Sequence, residues 1–145
     1  SFSTKIRNYL VKVFLTGSNG FIGKYVLRDC LSKNLDVVHT VKNKKNISKI
    51  YNFETKNLDI YKINSNTFND LGCPQNVIHL AWSGLPNYFS NRHLEIELEA
   101  QYSFLKNFIK SGLKNLTISG SCLEYGMING CLNEKMNCNP KIPHF

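Results

Sequence analysis

A short apolar segment that breaks into three evenly spaced glycines is the feature that most constrains this chain. Residues 13–23 read VFLTGSNGFIG, which spaces Gly17, Gly20 and Gly23 as G-x-x-G-x-x-G, and an amphipathic pattern continues over 21–32. Glycines so placed let the chain turn off a strand, let backbone approach a phosphate and let a helix pack closely on a sheet. The free N–H groups at the start of that helix then face the negative charge. The segment therefore predicts a strand, a phosphate-binding loop and a helix.

The alternative for this segment is a purely structural turn, since turns also use glycine. A preceding strand and a following amphipathic helix are the context that a dinucleotide-binding loop requires, and both are predicted here. We therefore favour dinucleotide binding, with cofactor contacts from the loop residues Gly17, Ser18, Asn19, Gly20, Phe21, Ile22 and Gly23.

Short apolar runs alternate with helical patterns along the chain. The runs lack strict polar alternation, which is typical of strands in a parallel sheet buried on both faces. Right-handed crossovers between them give a doubly wound α/β sheet with strand order 3-2-1-4-5 and a ligand at its switch point. The predicted strands are Lys12–Thr16, Asp36–Val41, Asn57–Ile60, Val77–Ala81 and Leu116–Ser119.

A longer helical pattern separates the fourth and fifth strands. Mostly apolar side chains recur there at steps of three and four residues, so one helix face is apolar, and the helix should end at Gly112. The stretch 61–73 predicts one short helix with loops. The residues of the apolar face are Leu94, Leu98, Gln101, Tyr102, Leu105, Phe108 and Ile109.

The wording of the glycine loop, T-G-x-x-G-F-x-G, resembles the cofactor loop of the extended short-chain dehydrogenase/reductase family, the NAD(P)-dependent enzymes that modify nucleotide sugars. The resemblance covers nearly the whole chain. It implies a Rossmann-like dinucleotide-binding domain over 1–145, with 1–10 as a flexible or tag-derived lead-in. Four further segments fit the family in order and spacing: NLDI at 57–60, VIHLAW at 77–82, LTISGSCLEYG at 116–126 and NGCLNE at 129–134.

The resemblance assigns a role to the end of each later strand. Asp59 and Ile60 are expected against the adenine. The family's catalytic serine, which hydrogen-bonds the reacting oxygen, falls on Ser121. Ser83 and Cys122 are expected on the substrate side. The strand residues that run beside the cofactor are Leu80, Ala81 and Trp82.

The resembled enzymes also carry a catalytic Tyr-x-x-x-Lys, and these 145 residues contain no such segment after Ser121. Aligning the prolines of 139–143 places His144 where the tyrosine would stand. We therefore expect the amino-terminal, NAD(P)-binding part of a nucleotide-sugar epimerase, dehydratase or reductase, truncated before its substrate domain and inactive alone. The alternative is a non-catalytic NADP(H)-binding sensor or interaction module.

Two further residues bear on this interpretation. His79 follows an apolar run and is expected to be a structural hydrogen-bonding residue rather than an acid or base. Glu97 is a departure from the family, because the resembled enzymes usually carry asparagine in the comparable helix turn. The substitution is expected to alter a structural or water-positioning hydrogen bond.

The end of the second strand bears on the choice of nicotinamide cofactor. An NAD-specific site usually has an acid there, about 20 residues beyond the loop, to bind the ribose 2′-hydroxyl. This chain has Thr40, Val41 and Lys42 instead, followed by Lys44 and Lys45. Lysines suit a 2′-phosphate, so Lys42 is a predicted cofactor contact and NADP(H) is slightly preferred over NAD(H). A solvated basic turn is the alternative.

Composition and charge exclude several other classes. With 145 residues, 42% of them hydrophobic and 19% charged, the chain is typical of one globular domain. No apolar run approaches the ~20 residues of a membrane span, so no membrane contact is expected. The net charge of +8 could attract nucleic acid, but no aromatic residues interleave with the lysines of the densest basic run. We therefore expect no nucleic-acid partner.

The cysteines and the resemblance complete the expected setting of the protein. The five cysteines are odd in number and lack C-x-x-C spacing, which predicts free thiols, no metal site and a cytoplasmic location. The expected partner is a nucleotide-sugar substrate in the complete enzyme, and a homodimer is left open.

Overall fold

A computed structural model describes residues 11–40, 55–56 and 58–142 of the chain. Five strands in this part form one parallel sheet, in the order β3-β2-β1-β4-β5. This confirms the doubly wound α/β fold and the strand order 3-2-1-4-5. The strands are β1 Lys12–Thr16, β2 Asp36–Thr40, β3 Thr55–Lys56, β4 Asn76–His79 and β5 Asn115–Ile118.

In the described residues, three α-helices connect the strands. They are α1 Gly23–Ser32, α2 Thr67–Asp70 and α3 Leu98–Lys110. A π-helical turn, His93–Glu97, leads directly into α3, and 3-10 turns lie at Ile60–Lys62 and Cys122–Tyr125. The predicted end of α3 is confirmed, since the helix stops before Gly112, which has φ +101°.

The third predicted strand, Asn57–Ile60, differs most from the observed one. The observed third strand is Thr55–Lys56, and Asn57 of the predicted segment lies outside the described residues. Val41, the predicted last residue of the second strand, also lies outside them. Asp59 instead caps the following 3-10 turn, where its side chain accepts a hydrogen bond from the Tyr61 N–H at 3.1 Å. The local cap removes Asp59 from any strand ladder, because the side chain offers the backbone a turn-forming partner.

The core has two layers, one on each face of the sheet. Successive residues of β1 point to opposite faces. Phe14 therefore packs with the residues under α2 and α3, and its ring lies 5.6 Å from that of Phe108. Val13 and Leu15 pack on the other face against Leu27 of α1. The predicted burial on both faces is confirmed for β1 and β2. It is wrong for β5, an edge strand with three of its four residues exposed.

Helix α3 and the turn before it bury a line of side chains that shares only Gln101 and Phe108 with the predicted apolar face. Four residues of the predicted face, Leu94, Leu98, Tyr102 and Ile109, are more than half exposed. The buried line is Glu97, Gln101, Phe104 and Phe108, at steps of four, three and four. Its first member, Glu97, is charged, so hydrophobic periodicity alone could not find the whole line. No helix in the described part of the chain is long and apolar enough to cross a membrane.

Candidate functional site

A cleft of about 740 Å³ opens over the carboxyl ends of the strands, where β1 and its neighbours β2 and β4 diverge. This is the switch point at which α/β sheets of this kind bind ligands. Parallel strands bring together here residues that are far apart in the sequence. The lining residues are Gly17, Asn19, Gly20, Thr40, Leu58, Asp59, Ile60, Tyr61, Lys62, Leu80, Ala81, Trp82, Ser83 and Gln101.

The glycine loop forms one wall of the cleft, and its tight packing requires glycine at two positions. Gly17 has φ +70°, and a Cβ there would lie 2.9 Å from the backbone N of Ala81. A Cβ on Gly23 would lie 2.0 Å from the carbonyl oxygen of Gly17. At Gly20 the nearest atom to a Cβ would be the same oxygen at 3.2 Å. The packing of the protein therefore does not by itself require glycine at position 20. Glycine there leaves the backbone open to a ligand in the cleft.

A buried hydrogen-bond network joins the ends of β1 and β4 to α3. The Thr16 hydroxyl and His79 Nδ1 lie 2.8 Å apart, and His79 Nε2 lies 2.6 Å from the amide oxygen of Gln101. The Leu80 and Ala81 N–H groups both donate to the Thr16 hydroxyl at 3.2 Å. These bonds divert the backbone from the strand ladder, so β4 ends at His79, two residues earlier than predicted.

The network supports the structural interpretation of His79. Burial lowers its pKa, and the hydrogen bond with Gln101 only partly opposes this, so the ring is neutral near neutral pH. The Gln101 amide nitrogen also donates to the Ala81 carbonyl at 3.1 Å. His79 and Gln101 together hold the cleft wall that β4 provides.

Trp82 is held at the cleft by the π-helical turn. Its indole N–H donates to His93 Nδ1 at 3.0 Å, and His93 Nε2 lies 2.8 Å from the Asn87 carbonyl oxygen. His93 is the first residue of the turn and is almost completely buried. Since π-helical turns occur frequently at functional sites, this one is a structural pointer that no sequence pattern gave.

Several predicted contacts lie apart from the cleft lining. The Ser18 side chain is buried and donates to the Thr40 carbonyl at 2.9 Å, so it ties the loop to β2. The Phe21 and Ile22 side chains are exposed, and Gly23 serves the packing of α1. Lys42 lies outside the described residues, so the lysine interpretation stays a prediction.

Ser121 follows β5 at the same edge of the sheet. It begins the 3-10 turn, and its hydroxyl oxygen accepts a hydrogen bond from the Leu123 N–H at 3.3 Å. A hydroxyl has one proton to donate, and this bond leaves that proton uncommitted. Neither Ser121 nor the exposed Cys122 lines the cleft. The predicted roles of both stay predictions.

Five lining residues were missed by sequence reasoning. Thr40 ends β2, and Tyr61 and Lys62 follow the Asp59 cap. The available signal was their position at or just beyond the carboxyl ends of predicted strands. The other two are Leu58 and Gln101.

Glu97 forms a polar cluster behind this cleft. Its carboxylate is completely buried and accepts hydrogen bonds at Oε1 from the Tyr61 and Ser83 hydroxyls. The Arg92 guanidinium donates to the same oxygen at 3.1 Å. Burial raises the pKa of Glu97, but these hydrogen bonds and the arginine charge outweigh it and hold the pKa below its usual value. The carboxylate is therefore ionised near neutral pH.

Metal chemistry has no ligand set in the described part of the chain. No group of three or more His, Cys, Asp or Glu residues is placed there to hold a metal ion. All five cysteines are free thiols, and only Cys30 is buried.

Comparison with known proteins agrees with this geometry. The sequence model of the NAD dependent epimerase/dehydratase family matches residues 13–144. The dTDP-6-deoxy-L-talose 4-dehydrogenase (NAD(+)) of Aggregatibacter actinomycetemcomitans is 29% identical over 138 residues, which is 92% of this chain and 50% of that protein.

Solved structures show the same fold. UDP-glucose 4-epimerase from Thermus thermophilus, in complex with NAD, gives a TM-score of 0.76 at 20% identity, covering 92% of this chain and 46% of that one. MoeE5 in complex with UDP-glucose and NAD gives 0.71 at 19% identity, covering 92% of this chain and 44% of that one. The chain thus spans about half the length of these proteins.

Proposed function

We propose that this chain, which belongs to the NAD-dependent epimerase/dehydratase family, binds NAD(H) in the cleft and is the nucleotide-binding part of an enzyme that acts on a nucleotide sugar. The observation that carries the proposal is the continuous cleft from the Gly17–Gly20 loop to Asp59 on one side and Trp82 on the other. A pyrophosphate fits beside Gly20, because the missing Cβ leaves the backbone accessible where α1 begins.

The walls of the cleft suit the two ends of a dinucleotide. Leu58 and Ile60 give an apolar side for an adenine, and Asp59 lies between them. Ala81, Trp82 and Ser83, on the β4 side, would lie beside the nicotinamide. The nicotinamide, when bound, gives or takes a hydride. Ser121 would orient the reacting carbonyl or hydroxyl of the sugar through its uncommitted proton.

Two observations favour NAD(H) over NADP(H). The dehydrogenase relative is named for NAD(+), and both solved structures above were determined with NAD. The lysines that slightly favour NADP(H) lie outside the described residues. We infer that NAD(H) is the working cofactor. The slight preference for NADP(H), which the sequence predicts, is the alternative that the next measurement tests.

Calorimetric titration of the 145-residue chain tests this choice. We expect NADH to bind, and NADPH to bind no more tightly, because the cation in the described lining, Lys62, is already paired with Asp59 at 4.0 Å. The comparison is made at low and high salt, since Lys42 and its neighbours would aid NADPH only when unscreened. Tighter NADPH binding that weakens with salt would restore the lysine interpretation, and binding of neither cofactor would contradict the proposed function.

The chain alone is expected to turn over no nucleotide sugar. Proton transfer by a positioned acid or base contributes roughly 10²–10⁴ in rate, and no Tyr-x-x-x-Lys follows Ser121 in these 145 residues. A panel of nucleotide sugars, incubated with NAD(H) and NADP(H), checks this by chromatography of the sugar products, since an epimerase or a dehydratase returns the hydride and leaves the nicotinamide absorbance unchanged. Turnover that disappears in a His144→Ala variant would show instead that the imidazole serves as the proton carrier.

The setting of the enzyme follows from the same proposal. A nucleotide sugar is the proposed substrate, since MoeE5 was crystallised with UDP-glucose. A homodimer and a cytoplasmic location stay predictions, the second resting on the free thiols.

A further inference from the structure

The polar cluster of Tyr61, Ser83, Arg92 and Glu97 has a fixed direction of hydrogen bonding. Tyr61 and Ser83 line the cleft, whereas Glu97 lies behind them with no exposed surface. The π-helical turn places the carboxylate there, because Glu97 is its last residue and the first buried residue of the α3 line. An ionised carboxylate can only accept hydrogen bonds.

The hydroxyl protons of the cluster determine which hydrogen-bonding groups it presents to the cleft. The Tyr61 and Ser83 hydroxyls have one proton each, and both donate to Glu97 Oε1. The two hydroxyl oxygens are also 2.7 Å apart, so one proton can be shared between them. Every arrangement of these bonds keeps both protons inside the cluster. Because Arg92 also hydrogen-bonds the Tyr61 hydroxyl, the free position that is left at the cleft is a lone pair on the Ser83 oxygen.

The Arg92 guanidinium keeps this arrangement in place. It donates to Glu97 Oε1 at 3.1 Å and balances the buried negative charge. Burial and the bond to Glu97 raise the pKa of Tyr61, so its hydroxyl keeps its proton. Among the described residues, Glu97 Oε2 has no hydrogen-bond partner, which leaves the carboxylate with spare acceptor capacity and no proton of its own.

We propose that Glu97 is a positioning residue that makes Ser83 an acceptor, so that this end of the cleft selects a sugar hydroxyl that donates. The inference rests on the proposed function and deepens it. Sugar hydroxyls occur both on the riboses of NAD(H) and on the hexose of a nucleotide sugar. A ligand group that can only accept, such as a phosphate or carboxylate oxygen, is disfavoured at this place.

The test compares ligands that differ by one hydroxyl. NADH and analogues that lack a single ribose hydroxyl are titrated into the wild-type chain and into Ser83→Ala and Glu97→Gln variants. A net hydrogen bond of about 0.5–1.5 kcal/mol corresponds to roughly a 2- to 12-fold change in affinity. We expect the wild type to prefer NADH over one deoxy analogue by about this factor, and the variants to lose that preference.

The ratio of the affinities for NADH and its deoxy analogue distinguishes a positioning role of Glu97 from structural support of the cleft, which the affinity for NADH alone does not. A generally loosened cleft weakens NADH and its analogue equally. Glu95→Gln is the matched control, since Glu95 is an exposed carboxylate in the same turn. It should keep the wild-type preference. If Glu97→Gln fails to fold, Ser83→Ala decides, because it removes one acceptor from a partly exposed position.

The second arm uses UDP-glucose with the chain saturated in NADH. If the deoxy analogues bind like NADH, but the wild type prefers UDP-glucose over an analogue that lacks one hexose hydroxyl and Ser83→Ala and Glu97→Gln lose that preference, the donor is on the hexose and the proposal holds. If the wild type shows no hydroxyl preference and the variants bind both ligands like the wild type, the proposal is wrong. NADH binding would then still support the proposed function, whereas absence of NADH binding by the wild type would overturn both.

Discussion

A Gly20→Val variant is expected to lose measurable NADH binding while it stays folded. The valine side chain would fill the part of the cleft where the backbone of the loop is accessible. It would keep the pyrophosphate from the N–H groups that start α1. Two charged hydrogen bonds at about 1.5–3 kcal/mol each amount to at least a hundredfold loss of affinity. Calorimetric titration measures the loss, and circular dichroism checks the fold.

The matched control for this variant is Gly120→Val. A Cβ at Gly120 also meets an oxygen at 3.2 Å, that of the Glu124 carboxylate, and Gly120 does not line the cleft. This variant should bind NADH as the wild type does. Undiminished affinity in a folded Gly20→Val chain would mean that the cofactor does not approach the glycine loop.

Replacement of Gly23 should instead strongly destabilise the fold. A Cβ there would lie 2.0 Å from the Gly17 carbonyl oxygen and 2.8 Å from the Ser18 Cα, and all of these atoms belong to the backbone. No side chain can move aside, so Gly23→Ala must shift α1 away from the loop. Overpacking typically costs about 1–3 kcal/mol, and we expect a loss of stability at the top of that range or above it. The midpoint of urea unfolding measures it.

Gly20→Ala provides the comparison for that experiment. The nearest contact of its Cβ is 3.2 Å, which a small loop shift can relieve, so its unfolding midpoint should stay close to that of the wild type. Equal midpoints for Gly23→Ala and the wild type would show that α1 does not pack on the loop as described.

The parts of the fold that depend on local patterns could be predicted from sequence. The glycine spacing, the apolar run over β1 and the helical pattern of α1 each need only neighbouring residues, and the strand order follows from right-handed crossovers. Asp59 shows the limit of such patterns. It stands in an apolar segment, yet its side chain caps a turn, and a competing local hydrogen bond ended the predicted strand.

The polar half of the site could not be predicted from sequence. Glu97 and Gln101 occupy buried positions of α3 because their hydrogen-bond partners come from β4 and from the turn at Tyr61. Tyr61, His79 and Ala81 are 20 or more residues away from them in the sequence, and hydrophobic periodicity treats Glu97 as a surface residue. Glu97 was noticed only as a departure from the family, and its partners appear only in the folded chain.

The most direct measurement of the central claim is a titration of the isotope-labelled 145-residue chain with NADH, followed by amide NMR. The account predicts the largest changes at Gly17, Gly20, Asp59 and Ala81, which line the cleft at the carboxyl edge of the sheet. The amino-terminal edge serves as the internal reference, where Lys12 and Asp36 form an ion pair at 3.8 Å. Changes confined to that edge, or no changes at millimolar NADH, would contradict the account.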